Sequence, residues 1–374
     1  MMRRRRHTWS ALDGQPFQGI VATRTSVAEG FSDPSTPIYY CFATFARDYI
    51  SSLRAVWSHW YGNGVSPGAG KNMTITAEVE YPNGVYTPIT FGGKSTVTVL
   101  PLTNVTCDPV AVSIPNGAIF RIRGLYTGCC NQTRGPNATI GEGSVFPATG
   151  LNLVTARSAT FNANFTYTPS VVIGATTKRS VMIIGDSHPS GLGDSYTRAD
   201  GSYGTVGGAL NVYPWAQMVQ WGGSPADYLA GAGPLQAELV QYATDVVVEL
   251  GGNHLFDGDT AAFTLAQQAA IKALYPTKTF HLTTISPKTT STDNWATLAN
   301  QTVIANESEL QAYNIAVLAN AMGYSTPINL ATVMESTPGS GKWKVDGTAN
   351  KYTVEGVHPS QFCYALFPGA GFTL

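Results

Sequence analysis

The stretch Ser180-Val181-Met182-Ile183-Ile184-Gly185-Asp186-Ser187-His188 decides how the chain is read. Residues 181–184 are a continuous apolar run of strand length, the pattern of a strand buried on both faces, and a glycine then ends it just before three polar side chains. Two runs of the same kind follow at 245–250 and 279–285. Residues 260–274 and 307–322 carry apolar and Ala-rich positions at helical spacing. Strands alternating with helices at this pitch predict an α/β layer with a parallel sheet and helices on both faces. In such sheets the ligand crevice lies at the carboxyl ends of the strands, so the residues directly after these runs are the first candidates for chemistry.

Upstream of Thr176-Thr177-Lys178-Arg179 the texture changes. Short runs at 73–81, 85–91, 95–100, 111–114, 118–123 and 159–167 alternate apolar with polar residues, are rich in β-branched and aromatic side chains, and are separated by turns such as Pro82-Asn83-Gly84. That pattern predicts an antiparallel, jelly-roll-like β-sandwich over residues 31–175, with 44–59 as a helix inside it. Residues 1–30 read as a tail and 176–374 as the α/β domain. The length of 374 residues agrees with two units, because a single core rarely exceeds roughly 250–300 residues.

Composition narrows the function classes. Charged residues are 12% of the chain, about half the share of roughly 25% in ordinary soluble domains, which excludes coiled coils and charge-driven disorder. A net charge of −1 leaves no basic field to gather phosphates, so nucleic acid is not an expected partner. The run Arg3-Arg4-Arg5-Arg6 is not followed by an apolar segment, so no cleavable export signal is read, and no stretch has the roughly 20 apolar residues of a membrane span. Five cysteines form no CxxC pair; Cys107 either bridges to Cys129 or Cys130 or stays a free thiol. Six histidines without HExxH or clustered Cys/His spacing give no metal site. Pro67-Gly68-Ala69-Gly70-Lys71 lacks the spacing of a phosphate loop, and Gly207-Gly208 and Gly231-Ala232-Gly233 are turn material, so no cofactor is expected.

Three short motifs sit where chemistry is expected. Gly185-Asp186-Ser187-His188 follows the first run, Gly251-Gly252-Asn253-His254 follows the second, and Glu355-Gly356-Val357-His358 places a carboxylate three residues before a histidine. A serine hydroxyl becomes a useful nucleophile when an imidazole takes its proton and an acceptor holds the other ring nitrogen. A second Gly-Asp-Ser at 193–195 has no apolar strand before it and reads as a turn.

In order and placement these blocks resemble the SGNH (GDSL-type) hydrolase family, over residues 179 to 374. The resemblance implies a flavodoxin-like sheet, Ser187 as nucleophile, His358 as base and Glu355 as the acid that orients it. It also implies an oxyanion hole from the Ser187 backbone N–H, Asn253 and a glycine of Trp221-Gly222-Gly223-Ser224, with Gly223 taken ahead of Gly222. Asp186, His188 and His254 are expected site neighbours. The chain departs from the family at Glu355, where the usual residue is Asp, and at His254, where Asp usually follows the Asn; a Ser-His dyad, or Asp346 as acid, are the alternatives at the first position. A sandwich ahead of such a layer resembles two-domain carbohydrate esterases. The implied reaction is ester hydrolysis through an acyl-enzyme, with an acetylated polysaccharide as the expected partner, and Trp57, Trp60, Tyr61, Tyr196, Tyr203, Tyr213, Trp215 and Trp221 as aromatics for stacking on sugars. The segment 190–208 is expected to overhang the cleft. A short-chain carboxylesterase and an inert appendage protein are the other readings, and an extracellular or surface- or virion-associated setting is expected.

Overall fold

A computed structural model describes residues 15–32, 36–64, 71–128, 130–231 and 233–374. The arginine run 3–6, Cys129, Ala232 and most of the glycine-rich segment 67–71 lie outside the described residues.

Two antiparallel sheets face each other in the first half. One runs Phe17–Ile20, Val171–Thr176, Ile50–Ser58, Val110–Ile114, with Asn104–Thr106 also on Ile50–Ser58. The other runs Gly143–Val145, Ile38–Phe45, Ile119–Gly128, Met73–Glu80, Tyr86–Pro88, with Thr96–Val99 also on Met73–Glu80. Alternating inward residues such as Met73, Ile75, Ala77 and Val79 pack with Leu53, Trp57, Phe120 and Ile122 in one core. Residues 44–59 are therefore not a helix: Ile38–Phe45 and Ile50–Ser58 are strands of different sheets with a bend between them. The β-branched and aromatic side chains there find long-range strand partners, which outweigh the weak helical spacing. Nor is 159–167 a strand, since it makes only the isolated bridges Ser144↔Ala163 and Arg134↔Thr166.

In the second half the strands Thr279–Leu282, Asp245–Glu249, Val181–Gly185 and Trp215–Val219 lie side by side and parallel. Val181–Gly185 is central and every residue in it is buried. The helices Ala261–Leu274 and Glu307–Leu318 pack around this sheet through Ile271, Leu310, Tyr313 and Val317. Thr260 caps the first of these by accepting the Phe263 N–H.

The N-terminal segment corrects the expected division. Residues 15–30 are no tail: Phe17–Ile20 pairs with Val171–Thr176 in the sandwich, and Thr25–Ser26 adds a parallel edge strand beside Trp215–Val219. Residues 19–28 are buried throughout. Such a strand is defined by partners more than a hundred positions away and leaves little local periodicity. The two halves also share a core, in which Ile20, Val56, Trp60 and Ile173 pack with Met182, Ile184 and Met218.

Glu142 accepts from Arg24 Nη2 at 2.7 Å and from Arg134 Nη1 and Nη2 at 2.9 and 2.8 Å, all three side chains being fully buried. Cys41, Cys107 and Cys363 are buried free thiols, and Cys107 Sγ accepts the Ala55 N–H at 3.1 Å rather than forming a bridge. No helix among the described residues is long and apolar enough to cross a membrane.

Candidate active site

The central strand ends at Gly185, and the chain turns at once into the one-turn helix Ser187–Ser190. A Cβ on Gly185 would sit 2.2 Å from Pro189 Cγ, so only glycine lets the helix start this close to the strand. Asp186 caps the helix by accepting the His188 N–H at 3.1 Å. Ser187 is thereby held at the carboxyl end of the sheet.

His358 arrives on the loop between Thr353 and Pro359, which close it with an antiparallel bridge. Gly356 has φ +84°, and a Cβ there would meet Thr289 O at 1.9 Å; its carbonyl accepts from Trp343 Nε1 and from the Thr289 N–H, each at 3.0 Å. The loop brings His358 Nε2 to 2.8 Å from Ser187 Oγ. On the far side of the ring, His358 Nδ1 donates to Glu355 Oε1 in a short hydrogen bond, and the His358 backbone N–H donates to the same oxygen at 3.0 Å. The extra methylene of Glu over Asp is accommodated because the carboxylate folds back over its own loop. Partial burial of Glu355 would raise its pKa, but the hydrogen bond from His358 and its charge hold it below the usual carboxylate value. Asp346 is engaged elsewhere, by Lys351 Nζ and the Thr348 N–H.

Of the expected oxyanion donors, one is engaged elsewhere. Gly223 spends its N–H on Gln220 O at 2.9 Å, closing a turn, so it is not free to face the site. The Gly222 N–H has no intramolecular hydrogen bond among the described residues, and neither does that of Ser187 at the first position of its helix. Asn253 stands at the start of the helix Gly252–Phe256, with Nδ2 donating to Gly223 O at 2.8 Å and a longer 3.5 Å contact to Asp186 Oδ2. His254 turns away, its ring 5.4 Å from that of Phe263 and Nδ1 3.9 Å from Asp259.

His188 is buried next to Ser187, and its Nε2 lies 2.9 Å from Val357 O and 3.0 Å from Ser286 Oγ. Its Nδ1 is 3.5 Å from Asp186 Oδ1. Burial alone would lower its pKa, but the carboxylates of Asp186 and Glu249 and the Val357 carbonyl push it up to about 9. Glu249, at the end of its strand and paired in register with Gly185, has no exposure to speak of and is pushed up by burial to about 8, with Thr205 Oγ1 donating to it. Glu249 and Ser286 escaped the sequence reading. The one local sign of Glu249 is a carboxylate closing the run Val246-Val247-Val248, in a strand buried on both faces.

Segment 190–208 does not hang over the cleft as a whole. Residues 191–194 lie against the loop that carries His358, where a Cβ on Gly193 would come within 2.9 Å of Pro359 O. Further on, Arg198 O accepts from Asn137 Nδ2 and Gly201 O from Arg24, both bonds docking it on the sandwich side. Ser195 is bonded to Thr197, and Asp194 holds Arg198 in a bidentate ion pair. Of the aromatics, Trp57, Trp60, Trp215 and Tyr203 are fully buried core, whereas Trp221 is 50% exposed beside Gly222, with Nε1 donating to Ser190 Oγ at 2.7 Å.

No family model and no curated protein matches the chain. Among solved structures it is similar to a GDSL-like lipase from Bacteroides thetaiotaomicron, at 16% identity over 51% of this chain and 84% of that one, with a TM-score of 0.35. It is also similar to a lipase/acylhydrolase from Enterococcus faecalis, at 18% identity over 51% and 92% of the two chains and a TM-score of 0.36. A psychrotrophic esterase from Pseudoalteromonas, in a structure inhibited by monoethylphosphonate, gives 14% identity, 51% and 93% coverage and a TM-score of 0.34. These structural neighbours are GDSL-like lipases, esterases and acylhydrolases, each matched over about half of this chain.

Proposed function

We propose that the chain is a serine esterase of the SGNH type that removes O-acetyl groups from a polysaccharide. The observation that carries the ester-hydrolase reading is the unbroken hydrogen-bond chain Ser187 Oγ, His358 ring, Glu355 carboxylate. His358 Nε2 takes the hydroxyl proton as Ser187 Oγ bonds to the ester carbonyl carbon, and gives it to the departing alkoxide as the C–O bond breaks. Water then attacks the acyl carbon, His358 takes one of its protons, and that proton passes to Ser187 Oγ as the acyl C–Oγ bond breaks and the carboxylic acid leaves. The N–H groups of Ser187 and Gly222 and the Asn253 amide are the donors for the oxyanion; removing one such donor typically costs about 3–4 kcal/mol. Asn253 would turn its weaker contact, at 3.5 Å from Asp186, toward that oxygen.

The glycan substrate is supported by Trp221, a half-exposed indole fixed by Ser190 at the rim of the oxyanion turn, where it offers a flat face to a sugar ring. A polymer of this kind suits an enzyme at a cell or virion surface. The test is acetate release by wild type and Ser187→Ala from acetylated xylan, pectin, chitooligosaccharide and bacterial capsule, beside p-nitrophenyl acetate, butyrate and octanoate. Ser187-dependent release from one glycan, falling steeply beyond acetyl, is the expected result. Preference for longer acyl chains without glycan activity would make the protein a general carboxylesterase, and failure of wild type to react with an organophosphonate would make it an inert scaffold.

A further inference from the structure

Among the described residues two hydrogen bonds join the nucleophile's helix to the base's loop, and only one of them survives acylation. Ser187 Oγ to His358 Nε2, at 2.8 Å, is lost when the oxygen becomes an ester and has no proton to donate. One residue along on each side, His188 Nε2 donates to Val357 O at 2.9 Å, and this contact is untouched by the reaction. We propose that His188 is a positioning residue that keeps His358 in register with Ser187 through the acyl-enzyme, so that its loss slows deacylation above all. The inference rests on the reading of Ser187 and His358 as nucleophile and base.

The groups around the imidazole suit that task. Asp186 at Nδ1 and Ser286 at Nε2 fix the ring from two elements, the nucleophile turn and the segment after Thr279–Leu282. Glu249 faces it from the neighbouring strand, and Tyr364 OH reaches the His188 carbonyl at 3.4 Å. With a proton on each nitrogen the ring donates on both sides, and the Val357 bond is then charge-assisted. The His188 ring also lies 5.1 Å from that of His358, at 32°, forming one wall of its slot. The loop has its own anchors at Gly356, and within it Thr353 Oγ1 and the Val354 N–H donate to His358 O at 2.8 and 3.2 Å, but these bonds shape the loop without reaching the helix that carries Ser187, whereas His188 ties the residue adjoining His358 to that helix. Displacing a catalytic group by about 1 Å can cost on the order of 100-fold.

His188→Leu keeps an apolar body of similar size and removes both donors; His188→Gln restores a donor near the place of Nε2. Stopped-flow hydrolysis of p-nitrophenyl acetate separates the half-reactions, because a slow second step leaves a burst of p-nitrophenol and an accumulated acetyl-enzyme. For His188→Leu we expect kcat and KM to fall together by about 30- to 100-fold, kcat/KM to change by less than about threefold, and a burst approaching one product per enzyme. His188→Gln should recover to within about tenfold of wild-type kcat. Hydrogen exchange at the Val354 and His358 amides should quicken in the Leu variant and not in the Gln variant. An unchanged kcat and exchange rate in His188→Leu, or a Gln variant that folds and is impaired as deeply as Leu, overturns the proposal. If wild type itself shows no Ser187-dependent turnover, the esterase reading fails; the exchange measurement still decides whether His188 holds the loop.

Discussion

Replacing Glu355 with Gln isolates the carboxylate's charge from its geometry. Both bonds to Glu355, from His358 Nδ1 and from the His358 backbone N–H, run to Oε1, and Oε2 has no hydrogen bond among the described residues. A glutamine that keeps its carbonyl oxygen in the Oε1 position accepts both bonds and places its NH2 where Oε2 was. The imidazole then keeps its tautomer, with the free lone pair on Nε2 facing Ser187. What is lost is the attraction between a carboxylate and the imidazolium that forms in the transition state. At about 4 Å and an effective dielectric of about 20 that attraction is about 4 kcal/mol, but the Glu355 side chain is 46% exposed and solvent screens much of it. The difference between a charge-assisted and a neutral hydrogen bond, about 1–2 kcal/mol, is the better measure. We therefore expect kcat for p-nitrophenyl acetate to fall by about 5- to 30-fold, with KM little changed and the thermal midpoint near that of wild type. In triads where the substituted amide flips the tautomer the loss reaches about 10⁴. A loss of that order, or none at all, would refute the assignment of both bonds to one oxygen and of the charge to the transition state.

Three further outcomes follow from the same structure. Trp221→Ala should raise KM for an acetylated glycan by about tenfold, the value of a lost stacking contact of about 1–1.5 kcal/mol, and leave p-nitrophenyl acetate kinetics within twofold; equal effects on both substrates would remove the sugar platform. Glu142→Gln leaves Arg24 and Arg134 buried without a counter-charge and should cost about 3–5 kcal/mol in urea unfolding, so a loss below about 1 kcal/mol would mean the cluster does not hold the segment 15–30 in place. His188 titrates in the fold near 9, above its unfolded value of 6.5, so its contribution to stability is complete below about pH 6.5 and disappears as the pH rises through about 9. Glu249, raised from 4.5 to about 8, acts with the same sign over a lower range. The thermal midpoint of wild type should therefore drop more between about pH 7 and 9.5 than that of His188→Gln, and parallel curves for the two would contradict it.

What was legible in the sequence, and what was not, divides along a physical line. Three of the parallel strands could be read because burial on both faces makes them continuous apolar runs, whereas Trp215–Val219, interrupted by Gln217, went unread; the catalytic candidates could be read because such sheets present function at their carboxyl ends, where Ser187 and Asn253 stand. The strand Phe17–Ile20 and the pair Ile38–Phe45 and Ile50–Ser58 were missed or misread because their identity comes from distant partners, Ile20 opposite Ile173 and Val56 opposite Val171, which leave no local period. Gly222 and Gly223 are nearly equivalent in sequence, because a glycine's presence tells where a backbone can come close but not which way its N–H points. The same blindness hid Glu249: a carboxylate at a strand end looks solvated in sequence and is enclosed in the fold by Thr205, His188 and Asp186. His188 shows the consequence most directly, since one position after Ser187 it reads as a neighbour of the site, while its two ring nitrogens join the turn that carries Ser187 to the loop that carries His358. A residue of this kind acts by linking two segments that are 169 positions apart, and only the geometry that brings them within 2.9 Å gives it a role.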